Sequence, residues 1–293
     1  MFIAVLSDDP SKRKDFCKLI GKETGSGDIT FYSSNFQGVI RTLLEPTLYP
    51  DKLQPLLYTL SIADYVVLLV DALTPQVGEI IVALDLLKKE KGFLLSSVEL
   101  PTKGTVLEKY ESMDSPQAAK EKILSLQPDS SEGELLALVD SAFQVKSVGN
   151  VMLGAVKSGS IKKRDKLVFL PSKEEIEIKS IQLNDKDVDE VGAGGRFGMC
   201  YKGNPIERGI LASPQNSFKT ENTYSGELSK SPFYKADFPK KIHAYTNLQF
   251  TEGSAQEGKL SLEKPLSAKS GDKILITDPG SSKLRICGVL QVE

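Results

Sequence analysis

The run Ala142-Phe143-Gln144-Val145-Lys146-Ser147-Val148-Gly149-Asn150-Val151-Met152-Leu153-Gly154-Ala155-Val156-Lys157-Ser158-Gly159-Ser160-Ile161-Lys162 decides how this chain is read. Its apolar residues come in short bursts between glycines and polar residues, not at three- and four-residue intervals, so the run reads as strands. Gly154 and Gly159 are read as bracketing a hairpin, since glycine enters tight turns without a Cβ clash. The same rhythm continues through Lys166–Leu170, Glu175–Lys179 and Phe197–Tyr201, with Gly, Asn and Asp turns about every ten residues. Gly192, Gly194 and Gly195 allow sharp backbone turns before one of these strands. This spacing predicts a barrel or sandwich. A second strand-rich stretch runs from Tyr224 to Glu293, and the polar Ser213–Asn222 reads as the connector between the two.

Upstream the pattern changes to alternating strand and helix. Phe2–Leu6 is a short apolar run, and Asp9-Pro10 supplies a helix cap and a first-turn proline ahead of Phe16, Leu19 and Ile20 at helical spacing. Tyr65–Val70 is a continuous aliphatic run suited to a strand buried on both faces of a parallel sheet. Thr74-Pro75 caps a helix whose Ile80, Ala83, Leu84 and Leu87 share a face, Gly92 is read as its end, and Phe93-Leu94-Leu95 begins another strand. Ser115-Pro116 starts one more helix, through Leu126, and the polar Gln127–Gly133 closes the module. The expected architecture is a Rossmann-like α/β domain over residues 1–138, followed by antiparallel β-barrels over 139–215 and 216–293.

Composition removes several classes of function. Cys17, Cys200 and Cys287 are too far apart for a metal-ligand spacing and too few for a disulfide framework, and the single histidine, His243, excludes chemistry built on several imidazoles. No apolar stretch reaches the roughly 20 residues that span a bilayer, and the Met1–Leu6 start lacks the basic segment of a signal peptide. A soluble, cytoplasmic, monomeric protein without membrane contact is expected. Lys and Arg against Asp and Glu number 14 to 20 in residues 1–138, 12 to 10 in 139–215 and 11 to 9 in 216–293, giving −6, +2 and +2. That balance argues against wrapping duplex DNA and leaves room for local phosphate contacts on the later parts.

Three ordered motifs in the middle part carry a resemblance. The quoted run resembles the opening of the second domain of translational GTPases, F-x-[IV]-x-G-x-G-T-V-x-x-G-x-[IV]-x-x-G-x-[IV]. Val191–Gly198 resembles that domain's A-G-x-x-[IV]-G, and Ile206-Glu207-Arg208-Gly209-Ile210-Leu211 its [IL]-x-R-G-x-[VI]-L. Lys283–Leu290 is similar to the final strands of the third domain, most of all in the selenocysteine-specific elongation factor. The resemblance to elongation factor Tu and that relative covers the chain in domain order. It implies a GTP-binding domain with Mg²⁺, two barrels, and aminoacyl-tRNA and ribosome as partners.

The nucleotide motifs implied by the resemblance are altered at each point. A phosphate loop needs glycines so that backbone N–H groups converge on the β-phosphate, a lysine for charge, and a hydroxyl for the metal. The corresponding stretch is Ser7-Asp8-Asp9-Pro10-Ser11-Lys12-Arg13-Lys14: Ser7 and Lys12 stand for the two glycines, Arg13 for the lysine and Lys14 for the hydroxyl residue. Asp8 and Asp9 set carboxylates against a triphosphate, while Lys12, Arg13, Lys14 and the helix N-terminus could compensate. The same residues suit an ordinary capped turn with a solvated basic face. In place of D-x-P-G-H stands Glu45-Pro46-Thr47-Leu48-Tyr49, with Tyr49 where the water-positioning histidine would be. In place of the guanine-selecting N-K-x-D stands Ser96-Ser97-Val98-Glu99, which keeps only the carboxylate. Efficient GTP hydrolysis is therefore not expected, although backbone contacts could still hold nucleotide.

The barrels remain to do work. Residue by residue, the resemblance places Phe143 at an aromatic of the aminoacyl pocket, Gln182 at a carboxylate near the amino group, and Arg196 at an amide polar residue. An arginine there suits an anion bound bidentately. Lys157, Lys162, Lys163, Arg164 and Lys166 form one basic cluster, and Lys240, Lys241, His243 and Tyr245 a second; either suits contact with tRNA backbone and terminal bases, as well as plain solvation. The expected function is binding of an aminoacyl-tRNA or a tRNA acceptor end with weak or absent GTPase activity. Two alternatives stand beside it: a working GTP-driven elongation factor with drifted motifs, and a scaffold for protein partners.

Overall fold

The computed structural model describes residues 1–128 and 132–293; Asp129, Ser130 and Ser131, within the polar stretch read as the end of a module, lie outside the described residues. The first part holds strands β1 (Phe2–Leu6), β2 (Lys22–Gly25), β3 (Thr30–Phe36), β4 (Val39–Glu45), β5 (Tyr65–Val70), β6 (Gly92–Ser96) and β7 (Glu111–Ser112), with helices α1 (Pro10–Ile20), α2 (Gln54–Ile62), α3 (Pro75–Leu87) and α4 (Pro116–Ser125). They form one sheet in the order β2-β3-β4-β1-β5-β6-β7. The sheet is parallel from β4 through β1, β5 and β6 to β7, and β2 and β3 extend it antiparallel.

Each helix starts as its local sequence dictates. Asp9, Thr74 and Ser115 accept from the N–H groups of Ser11, Val77 and Ala118, and all four helices carry proline in the first turn, where a missing N–H costs nothing. Phe16, Cys17 and Ile20 of α1 and Ala119 and Ile123 of α4 bury against Ile3, Val5, Leu43 and Val67. A fully buried arginine, Arg41, ties the end of α4 to β4: its Nε donates to Ile123 O, and its Nη2 to Leu124 O and Leu126 O. Those carbonyls would otherwise be orphaned at the helix end.

Two readings need correction here. The third helix ends at Leu87, with Lys88 in the left-handed region, and Gly92 opens β6 instead; a Cβ on Gly92 would lie 2.5 Å from the Tyr110 ring. The β3–β4 hairpin escaped the periodicity reading altogether. Its signal was the pair Gln37-Gly38, at φ 52° and 79°, which makes a two-residue turn with both central residues at positive φ.

The second part contains β8 (Leu136–Val145), β9 (Gly149–Ser158), β10 (Ser160–Lys162), β11 (Lys166–Leu170), β12 (Glu174–Leu183), β13 (Lys186–Val188), β14 (Glu190–Gly192), β15 (Arg196–Lys202) and β16 (Gly209–Ala212). The order β11-β16-β8-β9-β15-β12 closes through a β11–β12 pairing, so the sheet is a barrel around Val139, Met152, Val156, Ile178, Phe197 and Leu211. Gly154 lies mid-strand in β9 rather than at a hairpin bracket; the turn glycine is Gly159, at φ 69°. Strands β17 (Lys219–Lys230), β18 (Ile242–Thr246), β19 (Gln249–Gln256), β20 (Lys259–Ala268), β21 (Lys273–Thr277) and β22 (Ile286–Val292) close a second barrel, in the order β17-β20-β19-β18-β21-β22. The polar connector is shorter than read, because β17 already begins at Lys219.

Cα proximity groups the chain into two compact units. One comprises Met1–Pro128, Ser229–Ile242 and Leu275–Val289; the other comprises, among the described residues, 132–228, His243–Ile274 and Leu290–Glu293. Among the described residues, no helix is long and apolar enough to cross a membrane.

Candidate functional site

The loop after β1 uses its polar groups on itself. Ser7 Oγ accepts from the Asp9 N–H at 3.2 Å, Asp9 Oδ1 from the Ser11 N–H at 2.8 Å, and Asp8 Oδ2 from Thr74 Oγ1 at 2.8 Å. Two amides that an anion would seek at this helix N-terminus are thus already engaged, and Pro10 offers none. Lys12 forms an ion pair with Asp71, and Lys14 is exposed.

Arg13 is fully buried. Nη1 donates to Ser7 O at 2.6 Å, and Nη2 to Pro46 O at 3.0 Å and Tyr49 O at 2.7 Å. Nε has no hydrogen-bond partner and faces Glu45 Oε2 at 3.8 Å. Glu45 is 4% exposed and accepts from the Tyr32 hydroxyl at 2.7 Å. Burial pushes the Glu45 carboxyl above its ordinary value, against the pull of the Tyr32 bond and of Arg13, and burial lowers Arg13 in turn. One guanidinium therefore joins the loop after β1 to the Glu45–Tyr49 segment through three carbonyl oxygens.

This arrangement does not fit Mg²⁺-nucleotide. The cation at the heart of the two loops is the chain's own, the groups turned toward it are carbonyls, and no glycine cradle leads a phosphate in. Ser96, Ser97 and Glu99 are exposed at the end of β6. Ser96 Oγ donates to Val98 O, and Ser97 Oγ to Asp71 Oδ1. Ser96 and Ser97, but not Glu99, border a cleft of about 650 Å³ at the carboxyl ends of β5 and β6, the place where open α/β sheets take ligands. Asp15, Asp71 and Asp114 line it against the single cation Lys12, which is a charge balance hostile to phosphate. Among the described residues, no group of three or more His, Cys, Asp or Glu could hold a metal ion.

The first barrel presents Phe143, Gln182 and Arg196 on its outer wall. Phe143 is 49% exposed, so it is no core aromatic. Gln182, Gly198, Leu153 and Ser141 form one cross-strand row; Phe143 pairs with Val151 on one side of it and Arg196 with Ala155 on the other. Phe143 and Arg196 are thus offset by four residues along the strands, roughly 13 Å at about 3.3 Å per residue, and do not converge on one point. Gln182 donates to Asp187 Oδ1 at 3.0 Å. The expectation that Arg196 offers a fork to an anion is corrected: both its terminal nitrogens grip Asp140, which is 4% exposed.

Of the first basic cluster, Lys162, Lys163, Arg164 and Lys166 are exposed, and Lys157 is half-buried on β9. Acidic neighbours temper it. Lys162 Nζ lies 3.8 Å from Glu190, and the Lys162 backbone N–H donates to Asp165 Oδ2. In the second cluster Lys240 and Lys241 are exposed ahead of β18, on which His243 and Tyr245 share a face. Sequence reading missed Phe250 of β19. It is 38% exposed, its ring stands edge-on to His243 at 4.9 Å, and it lies 5.0 Å from Tyr245. It also missed Glu79, whose signal was a lone acid among Val77, Ile80 and Ile81 on a buried helix.

No family model matches the chain. It is 29% identical over 93% of its length to an uncharacterized protein of Methanocaldococcus jannaschii, and the match covers 94% of that protein. It is 28% identical to the selenocysteine-specific elongation factor of the same organism, across 53% of this chain and 40% of that factor, so the chain matches well under half of the elongation factor's length. In three dimensions it superposes on the translation elongation factor SelB of Methanococcus maripaludis, determined in complex with a GTP analogue, with a TM-score of 0.84 and 20% identity over 100% of this chain and 78% of the other. A mixed-sheet α/β domain followed by two six-stranded barrels, matched along its whole length by such a factor, gives this chain the fold of the SelB elongation factor.

Proposed function

We propose that the chain is a translation-factor-like protein that holds the aminoacylated end of a tRNA without a GTPase cycle. The observation that carries the second half is Arg13, buried and bonded to Ser7 O, Pro46 O and Tyr49 O where the fold would seat the phosphates and metal. The first half draws support from the exposed aromatic Phe143 on the first barrel, from the His243–Tyr245–Phe250 group on the second, from Lys240 and Lys241 just ahead of that group in the chain, and from the exposed basic cluster of Lys162, Lys163, Arg164 and Lys166. Aromatic faces beside lysines suit unpaired terminal bases and backbone phosphate. The reading includes three functional parts over residues 1–138, 139–215 and 216–293.

Two assays test it together. Calorimetry with GTP, GDP and ATP in Mg²⁺ is expected to give no heat at millimolar nucleotide. Aminoacyl-tRNA is expected to lose its amino acid more slowly by ester hydrolysis when the protein is present at low salt, with protection fading as salt rises. Turnover of GTP at the rate of intact elongation factors would reject the absence of a GTPase cycle. Failure to protect any charged tRNA would reject the tRNA-holding reading and favour a scaffold for protein partners.

A further inference from the structure

The misfit between fold and nucleotide has a structural sequel, which rests on the reading above that no nucleotide is held. Tyr49 is 1% exposed and is fastened at both ends. Its carbonyl takes the Arg13 bond, while its hydroxyl donates to Gln76 O at 2.7 Å and lies 3.3 Å from Glu79 Oε2. Glu79, 2% exposed on α3, is in turn held by Arg285, from the connection between β21 and β22. The Arg285 N–H and Nε donate to Oε1 at 2.9 and 3.0 Å, and Nη2 donates to Oε2 at 2.5 Å. The Arg285 guanidinium also stands over the Tyr49 ring, 5.8 Å from its centroid. All of these residues belong to the same compact unit.

Two ion pairs, the buried Arg13 with Glu45 and the partly exposed Arg285 with the buried Glu79, thus stand on either side of one tyrosine and both engage it. Arg13, Glu45 and Glu79 hold this geometry strongly, because separating either pair leaves a buried charge without water or counter-ion. The segment that follows Glu45 is where the resembled factors carry a ligand-responsive loop. Here its backbone is bonded to an arginine on one side, and its side chain is packed by a second arginine 236 positions later in the chain.

We propose that Arg13, Tyr49, Glu79 and Arg285 form a built-in latch that holds residues 46–53 in one conformation and ties them to the loop before β22 with no ligand required. The chain's own cations do what a bound nucleotide and metal would do in a switch, and they do it permanently.

Hydrogen–deuterium exchange on the full chain tests this. Arg285→Met and the milder Arg285→Lys are expected to speed exchange of amides 46–53 about tenfold and about threefold, with peptides of β9 and β15 unchanged. Tyr49→Phe keeps the ring and the Arg13 bond, loses only the hydroxyl, and is expected to give a smaller rise in the same amides. Unchanged exchange of 46–53 in all three variants, or a rise spread evenly over the chain, overturns the latch. Slower exchange of 46–53 in the unmodified protein on adding GTP and Mg²⁺ overturns the nucleotide-free reading instead, and is recognisable because it needs no variant.

Discussion

Arg196 and Asp140 are joined by two parallel bonds of 2.5 and 3.1 Å across the first barrel wall, and Arg208 Nε adds a third contact to the Asp140 carbonyl at 2.9 Å. Asp140 lies where the β8–β9 register shifts, between Val139 and Ser141, so the pair fastens an irregularity in the strand ladder. Removing Arg196 leaves a carboxylate that is 4% exposed without its charge partner. Arg196→Ala is expected to cost about 3 kcal/mol in urea unfolding, and Arg196→Lys about 1–2 kcal/mol, since lysine keeps the charge and loses the fork. Any loss of tRNA protection in Arg196→Ala should therefore track its loss of fold.

Arg13 permits a sharper comparison. Arg13→Met orphans three carbonyl oxygens and leaves Glu45 buried beside Tyr32 alone, an expected cost of about 3–5 kcal/mol. Arg13→Lys restores the residue type that a phosphate loop would carry. A lysine cannot donate along three divergent directions in one plane, so this variant is also expected to be destabilised, by about 2 kcal/mol, and to show no thermal shift with GTP and Mg²⁺. A stabilising shift with nucleotide in Arg13→Lys would show that the remainder of the site is still competent.

Why some of this was legible in the sequence and some was not has a physical basis. The strands β1, β5 and β6 and the helices after Asp9, Thr74 and Ser115 announce themselves because cap, proline and apolar spacing all act locally. The barrel was readable for the same reason, in its ten-residue rhythm. The altered phosphate loop was visible as missing glycines. Its replacement was not, because whether Arg13 faces solvent or three carbonyls depends on Pro46 and Tyr49, more than 30 residues away. Arg196 misled in the same way: a guanidinium on a barrel wall looks like a ligand-binding group until Asp140 is found opposite it. Glu79 and Arg285, 206 positions apart, left only the hint of an acid on an apolar helix face.

Glycines separate turn chemistry from close packing. A Cβ at Gly154 would lie 2.4 Å from Leu138 O and 2.5 Å from the Phe197 ring, whereas at Gly192 nothing lies within 4 Å. Gly154→Ala is expected to lower stability by about 2 kcal/mol or more, because backbone and a packed ring must both shift. Gly192→Ala is expected to stay within about 0.5 kcal/mol of the parent in the same urea titration. Equal effects would mean that the strand wall around β9 is looser than its geometry implies.

A pH dependence follows from Glu134. Burial pushes its carboxyl up, but the Ser217 Oγ and N–H bonds and Lys269 Nζ at 3.5 Å outweigh that, and its net direction is down from 4.5. A carboxylate with a depressed folded value adds stability above its unfolded value and loses it as pH falls through the folded one. Glu134→Gln should therefore be less stable than the parent by about 1 kcal/mol at pH 7, with the gap closing below about pH 4.5. A gap that does not narrow at all as pH falls below about 4.5 would assign the effect to packing rather than charge.

Phe250 offers the cleanest separation of cargo binding from fold. It is 38% exposed and its ring rests against Tyr245 and edge-on to His243, so its outer face is free to take a flat partner while its loss disturbs little inside the barrel. Stacking of an unpaired base on such a ring is worth about 1–3 kcal/mol. Phe250→Ala is expected to weaken binding of a charged tRNA about tenfold, within that range, while its melting temperature stays within a few degrees of the parent. Filter binding across a salt series checks this: the slope of affinity against salt should be unchanged in Phe250→Ala, because no phosphate contact is lost, and should fall in Lys240→Ala with Lys241→Ala. If Phe250→Ala binds as the parent does, the second barrel's aromatic group lies outside the tRNA footprint, and the lysines ahead of β18 are only a solvated face.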